Sequence, residues 1–151
     1  MVRKISRKEG FSLIELLIVI SIIAILSYFG INYILSVMEK SKIEKDLKRM
    51  YGLLQEARIK AFSEKKEFTF SLDLINKKAC IKEGTTDIKC VDLDDNNYSL
   101  SGSINIDKRG TFTGGTIRYI GNVSNLAYNC IVISNIRVKL GVYNGSKCVP
   151  K

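Results

Sequence analysis

A chain of 151 residues leaves room for one domain and an anchor. It has no histidine, so acid–base work would fall to carboxylates or lysines, and no pair of these is set apart by a glycine-rich loop or a nucleophile motif. An enzyme is therefore not expected. The formal net charge of +9 suits acidic partners such as nucleic acid or anionic lipid headgroups, and serves solubility equally well.

Residues 1–10 are basic, with Arg3, Lys4, Arg7 and Lys8 ahead of Gly10. Residues 11–38 then carry no charge except Glu15. As a helix this run would reach about 42 Å, against a hydrocarbon core of about 30 Å, so it can span a membrane. A secretory signal peptide has an apolar core of only about 7 to 15 residues, followed by a small-residue cleavage site, and this run fits neither requirement. An ionised carboxylate in hydrocarbon costs at least about 2.5 kcal/mol, which makes Glu15 a functional candidate. Its shallow depth also allows it to snorkel to water, and depth alone leaves both readings open.

The basic leader, Gly10, the segment Phe11-Ser12-Leu13-Ile14-Glu15 and the aliphatic run together resemble the class III signal of type IV pilins and type II secretion pseudopilins. The resemblance implies that a prepilin peptidase cuts between Gly10 and Phe11 on the cytoplasmic side and methylates the new amino group of Phe11. In that family the carboxylate matching Glu15 pairs with the N-terminal ammonium of a neighbouring subunit, which gives the buried charge its partner and makes Glu15 an assembly residue. Cleavage would remove four basic residues and Glu9, leaving a net charge of about +6.

From Glu39 the pattern becomes amphipathic, with Ile43, Leu47, Met50, Tyr51, Leu54, Ala57 or Arg58, and Ala61 with Phe62 at three- and four-residue steps. Glu44 with Lys48 and Glu56 with Lys60 have the favourable i to i+4 order. The only proline is Pro150, so one helix of roughly fifty residues is expected. After Glu64 the period falls to two. Strands are expected from Phe68 to Leu74, around 79–82, and over 88–93, 98–106, 116–120, 129–134 and 136–143. The expected fold is α+β: a leader over 1–10, a transmembrane half-helix over 11–38, an amphipathic half over 39–65, and a small antiparallel β-sheet headpiece over 66–151.

Cys80, Cys90, Cys130 and Cys148 all follow the span and lack a Cys-x-x-Cys spacing, which argues against zinc. Neighbour pairing is preferred among the three possible pairings, because each pair brackets a short segment with turn signals. Disulfides place the headpiece on the oxidising side of the membrane. The cluster Asp92, Asp94, Asp95, Asn96 and Asn97 offers oxygen ligands but lacks the glycine and distal glutamate of an EF-hand loop, so no metal and no cofactor are expected.

A second resemblance lies in the headpiece. Residues 104–112, 115–120 and 130–139 are similar to the C-terminal half of GspH/FimT-type minor pseudopilins, which often have glycine where Ile136 stands. Some such pilins bind DNA through a basic C-terminal motif, and the resemblance carries that role to Arg118, Arg137 and Lys139 as an alternative to a solvated sheet face. The reading is thus a minor pilin or pseudopilin in the bacterial inner membrane, its N-terminus cytoplasmic and its headpiece extracytoplasmic, that assembles into a pilus or pseudopilus. The implied partners are other pilins, prepilin peptidase, the inner-membrane assembly platform and membrane lipid, with DNA in the alternative reading.

Overall fold

The computed structural model describes residues 11–151. Helix α1 covers Leu13–Glu64 and is followed by nine strands: β1 (Phe68–Asp73), β2 (Lys78–Glu83), β3 (Thr86–Asp92), β4 (Tyr98–Ser101), β5 (Ile104–Ile106), β6 (Gly115–Tyr119), β7 (Cys130–Ser134), β8 (Arg137–Tyr143) and β9 (Cys148–Pro150). The expected α+β plan with one long helix is what the chain adopts. The chain divides into two compact units, Met1–Val37 and Met38–Lys151.

The helix begins just after Ser12, whose carbonyl accepts a hydrogen bond from the Leu16 N–H at 3.2 Å. No proline interrupts it, and it ends where Lys65 turns into the left-handed region at φ 56°. Its first half is apolar on every face, and residues from Phe11 to Met38 leave their large side chains exposed. The hydroxyls there bond back to the helix: Ser21 Oγ donates to the Leu17 carbonyl and Ser36 Oγ to that of Tyr33. This helix is long and apolar enough to cross a membrane.

In the second unit the helix contributes Ile43, Leu47, Met50, Leu53, Leu54, Ala57 and Ala61 to a single core. The other wall comes from both sheets, through Phe68, Phe70, Ile81 and Ile104 on one and Tyr98, Ile117, Ile131 and Ile133 on the other. Each fully buried side chain of this size stabilises the fold by about 1.5 to 3 kcal/mol. Phe62, expected on the core stripe, is 59% exposed instead. The Glu56–Lys60 pair does not form: Glu56 binds Lys89 of β3 at 2.6 Å, and Lys60 turns toward Glu64 at 3.8 Å.

The headpiece holds two antiparallel sheets rather than one, ordered β3-β2-β1-β5 and β4-β6-β7-β8-β9. The stretch 98–106, expected as a single strand, crosses between them: Tyr98–Ser101 pairs with β6, and Ile104–Ile106 pairs with β1. Gly102 lies between the two at φ 85°, a conformation glycine adopts without a steric penalty. Strand β9 was not expected, because Cys148–Pro150 is too short to show a period.

The cysteines bond as Cys80–Cys90 and Cys130–Cys148. The first joins directly opposed residues of β2 and β3, with Cα atoms 4.1 Å apart. The second ties β7 to β9 across the intervening β8, with Cα atoms 6.1 Å apart. Gly141 of β8 lies beneath that bridge, where a Cβ would meet Cys148 Sγ at 3.1 Å and collide with the Val149 carbonyl.

Candidate functional site

The N-terminal signal residue Gly10 lies outside the described residues. Phe11 is exposed, and Glu15 sits exposed in the first turn of α1. There its carboxylate meets the positive end of the helix dipole, a favourable place for a negative charge. Among the described residues no cation stands within ion-pair reach of it.

One buried polar position escaped the sequence reading. Asp46 is fully buried on the core stripe of α1 and is surrounded by donors. The N–H groups of Asp94 and Asp95 donate to its Oδ2 at 2.8 and 3.0 Å, and the Tyr98 hydroxyl does so at 3.0 Å. Arg49 closes the cluster at 3.4 Å and also donates to the Asp92 carbonyl at 2.9 Å. Burial, and then the Asp46 charge, push the Tyr98 phenol well above its ordinary range. This network binds the helix to the loop joining the two sheets, the same acidic loop weighed as a calcium ligand set. Asp94 faces Lys45 and Arg49, while Asp95 Oδ1 accepts from the N–H groups of Asn96 and Asn97. The signal was present in sequence: Asp46 lies three residues after Ile43 and four before Met50.

The late basic residues lie on the outer face of the five-stranded sheet. Pairing places Ser99, Arg118 and Cys130 in one row, and Ser101, Thr116, Val132 and Lys139 in the next. Arg137 stands opposite Ser134. Arg137 and Lys139 are exposed on either side of the buried Val138, and both line a shallow recess of about 190 Å³ with Ser134 and Pro150. Arg118 does not join them. Its guanidinium lies 4.8 Å from the centre of the Tyr143 ring, in a separate and larger cavity that also includes Lys147.

Charge is distributed unevenly along the headpiece. Residues 39–107 hold thirteen basic and thirteen acidic side chains, whereas residues 108–151 hold seven basic and none acidic. Every ion pair among the described residues lies between Lys45 and Arg109. The five-stranded sheet therefore contains no carboxylate, and Arg118, Arg137, Lys139 and Lys147 have no acidic partner among the described residues. Such an undiluted positive surface attracts anions.

Comparison with known proteins places two findings beside this geometry. The prokaryotic N-terminal methylation motif matches residues 5–27. The fold is similar to that of the type IV minor pilin FimU from Pseudomonas aeruginosa, with a TM-score of 0.51 and 16% sequence identity over 75% of this chain and 96% of that one. No curated protein matches the sequence.

Proposed function

We infer that this chain, a member of the type IV pilin and pseudopilin superfamily by its methylation motif and pilin fold, serves as a minor pilin or pseudopilin, a structural subunit of a non-covalent fibre. The observation that carries this reading is the methylation motif over residues 5–27 running directly into a helix whose first half is apolar on every face and uncovered. An apolar surface of that extent needs cover, which lipid supplies before assembly and neighbouring helices supply in a fibre.

In this reading prepilin peptidase cleaves between Gly10 and Phe11 and methylates Phe11. The new ammonium of one subunit then meets Glu15 of another, which desolvates both charges together and fixes the axial register. The chain waits in the inner membrane with the headpiece on the extracytoplasmic side, where Cys80–Cys90 and Cys130–Cys148 remain oxidised. An assembly platform draws it into the fibre. The test is recovery of the full chain in the sheared-filament or pseudopilus fraction of cells with and without prepilin peptidase. It should enter that fraction only when the peptidase is present, and entry without the peptidase would contradict the reading.

A second reading rests on the acid-free sheet face, where Arg137 and Lys139 could hold the phosphates of DNA during uptake. The comparisons lend it no support of their own, and Arg118 lies in a different recess from the other two. Salt-dependent binding of duplex DNA, lost in an Arg137→Ala, Lys139→Ala double variant, would favour it. Equal binding by both forms would remove it.

A further inference from the structure

We propose that the cavity around Arg118 binds an anionic carbohydrate, a sugar ring bearing a carboxylate or a phosphate. The cavity measures about 530 Å³, within the range of small-molecule sites. It opens on the outer face of the five-stranded sheet and adjoins the Arg137 and Lys139 recess, with which it shares Val132. Its polar lining is of two kinds: the hydroxyls of Ser99, Ser101, Thr116 and Ser146, and the cations of Arg118 and Lys147.

This combination selects the ligand chemistry. A hydroxyl both donates and accepts, which matches the hydroxyls of a sugar ring, while a site for a bare anion would need donors alone. The planar guanidinium of Arg118 offers two parallel donors to a carboxylate or phosphate. It lies over the Tyr143 ring, 4.8 Å from the centroid, and this contact steadies the fork before any ligand arrives. Residues 108–151 and β4 hold no Asp or Glu, and neither cation has an acidic partner among the described residues.

The wall that carries Ser146 and Lys147 is also held in place. Asn144 Oδ1 accepts hydrogen bonds from the N–H groups of Ser146 and Lys147 at 3.1 and 2.9 Å. The Tyr143 hydroxyl donates to the Gly145 carbonyl at 3.1 Å, and the Cys130–Cys148 bridge anchors the next residue. A turn built this way loses little freedom when a ligand arrives, which favours binding. The structural role of the chain in a fibre does not require any of these features, so the proposal stands apart from that function.

Calorimetric or NMR titration of the full chain in uncharged detergent tests the proposal, with four probes: glucuronate, glucose 6-phosphate, glucose and inorganic phosphate. The two charged sugars should bind at least about tenfold more tightly than glucose or phosphate, and the stronger of the two identifies the anion. Arg118→Gln should weaken charged-sugar binding by about tenfold or more, and Arg137→Gln should leave it unchanged. Because Arg118 packs on Tyr143, Ser146→Ala and Lys147→Gln on the exposed turn provide variants that keep the sheet intact, and each should weaken binding. Absence of binding, equal binding of inorganic phosphate, or indifference to both turn variants would overturn the proposal. Displacement of the sugars by a short DNA duplex binding more tightly than either would also overturn it, and would assign the cavity to a nucleic acid backbone.

Discussion

The two halves of helix α1 share one backbone and differ in what covers them. From Leu13 to Val37 the large apolar side chains point to all sides of the helix and are exposed. From Ile43 to Ala61 the apolar residues form one stripe, closed over by two sheets and interrupted by a single buried carboxylate. A surface that is apolar all round accepts lipid or another helix in many orientations, so packing alone specifies little there. In the proposed fibre, register in that half would come from a charge, and Glu15 is the one that residues 11–38 hold. In the second half shape and hydrogen bonds specify a unique arrangement, with Asp46 binding the loop between the sheets.

The largest effect expected from this contrast is on assembly. Glu15→Val should be made, inserted and processed like the parent yet be nearly absent from the fibre fraction, with headpiece unfolding unchanged; normal incorporation would break the contrast. Next comes Asp46. All four of its partners are donors, so Asp46→Ala leaves buried donors unsatisfied and should cost about 3 kcal/mol or more in denaturant unfolding. Asp46→Asn should recover only part of that loss, because its amide turns donors toward donors. Neither change should affect processing at Gly10.

A comparable loss, about 3 kcal/mol in the chain-entropy model, is expected for a Cys130→Ser, Cys148→Ser double variant, whose closed loop has a sequence separation of 18. The smallest effect concerns the loop 107–111, which seats Gly110 against Arg58 of the helix. Backbone N–H donation from Thr111, with Arg109 assisting, holds the Asp107 carboxyl down at about 2. A folded value below the unfolded one, near about 4, means that Asp107 contributes stability above about pH 4. That contribution is lost as pH falls through about 2. Unfolding of Asp107→Asn should therefore show a flatter acid limb than the parent, while an identical limb would remove Asp107 from the account.

The same contrast explains what was legible in sequence. The uncharged run, Glu15 and the change of period after Glu64 are local patterns, so the helix and the α+β plan could be read directly. The division into two sheets was not visible, because it depends on which partner each half of 98–106 meets, and only Gly102 hinted at a break. Asp46 was hidden among neighbouring charges, although its spacing from Ile43 and Met50 placed it on the core stripe. Arg118, Arg137 and Lys139 were identifiable as late basic residues, but their placement in two neighbouring recesses depends on strand register, which sets Arg118 opposite Cys130 and Lys139 opposite Val132.

The central claim is that residues 1–10 form a leader removed to free Phe11 for assembly. Mass spectrometry of the N-terminal peptide of membrane-extracted protein tests it most directly. The account predicts a peptide beginning at N-methylated Phe11, and a peptide retaining residues 1–10 in the mature fibre or membrane pool would contradict it.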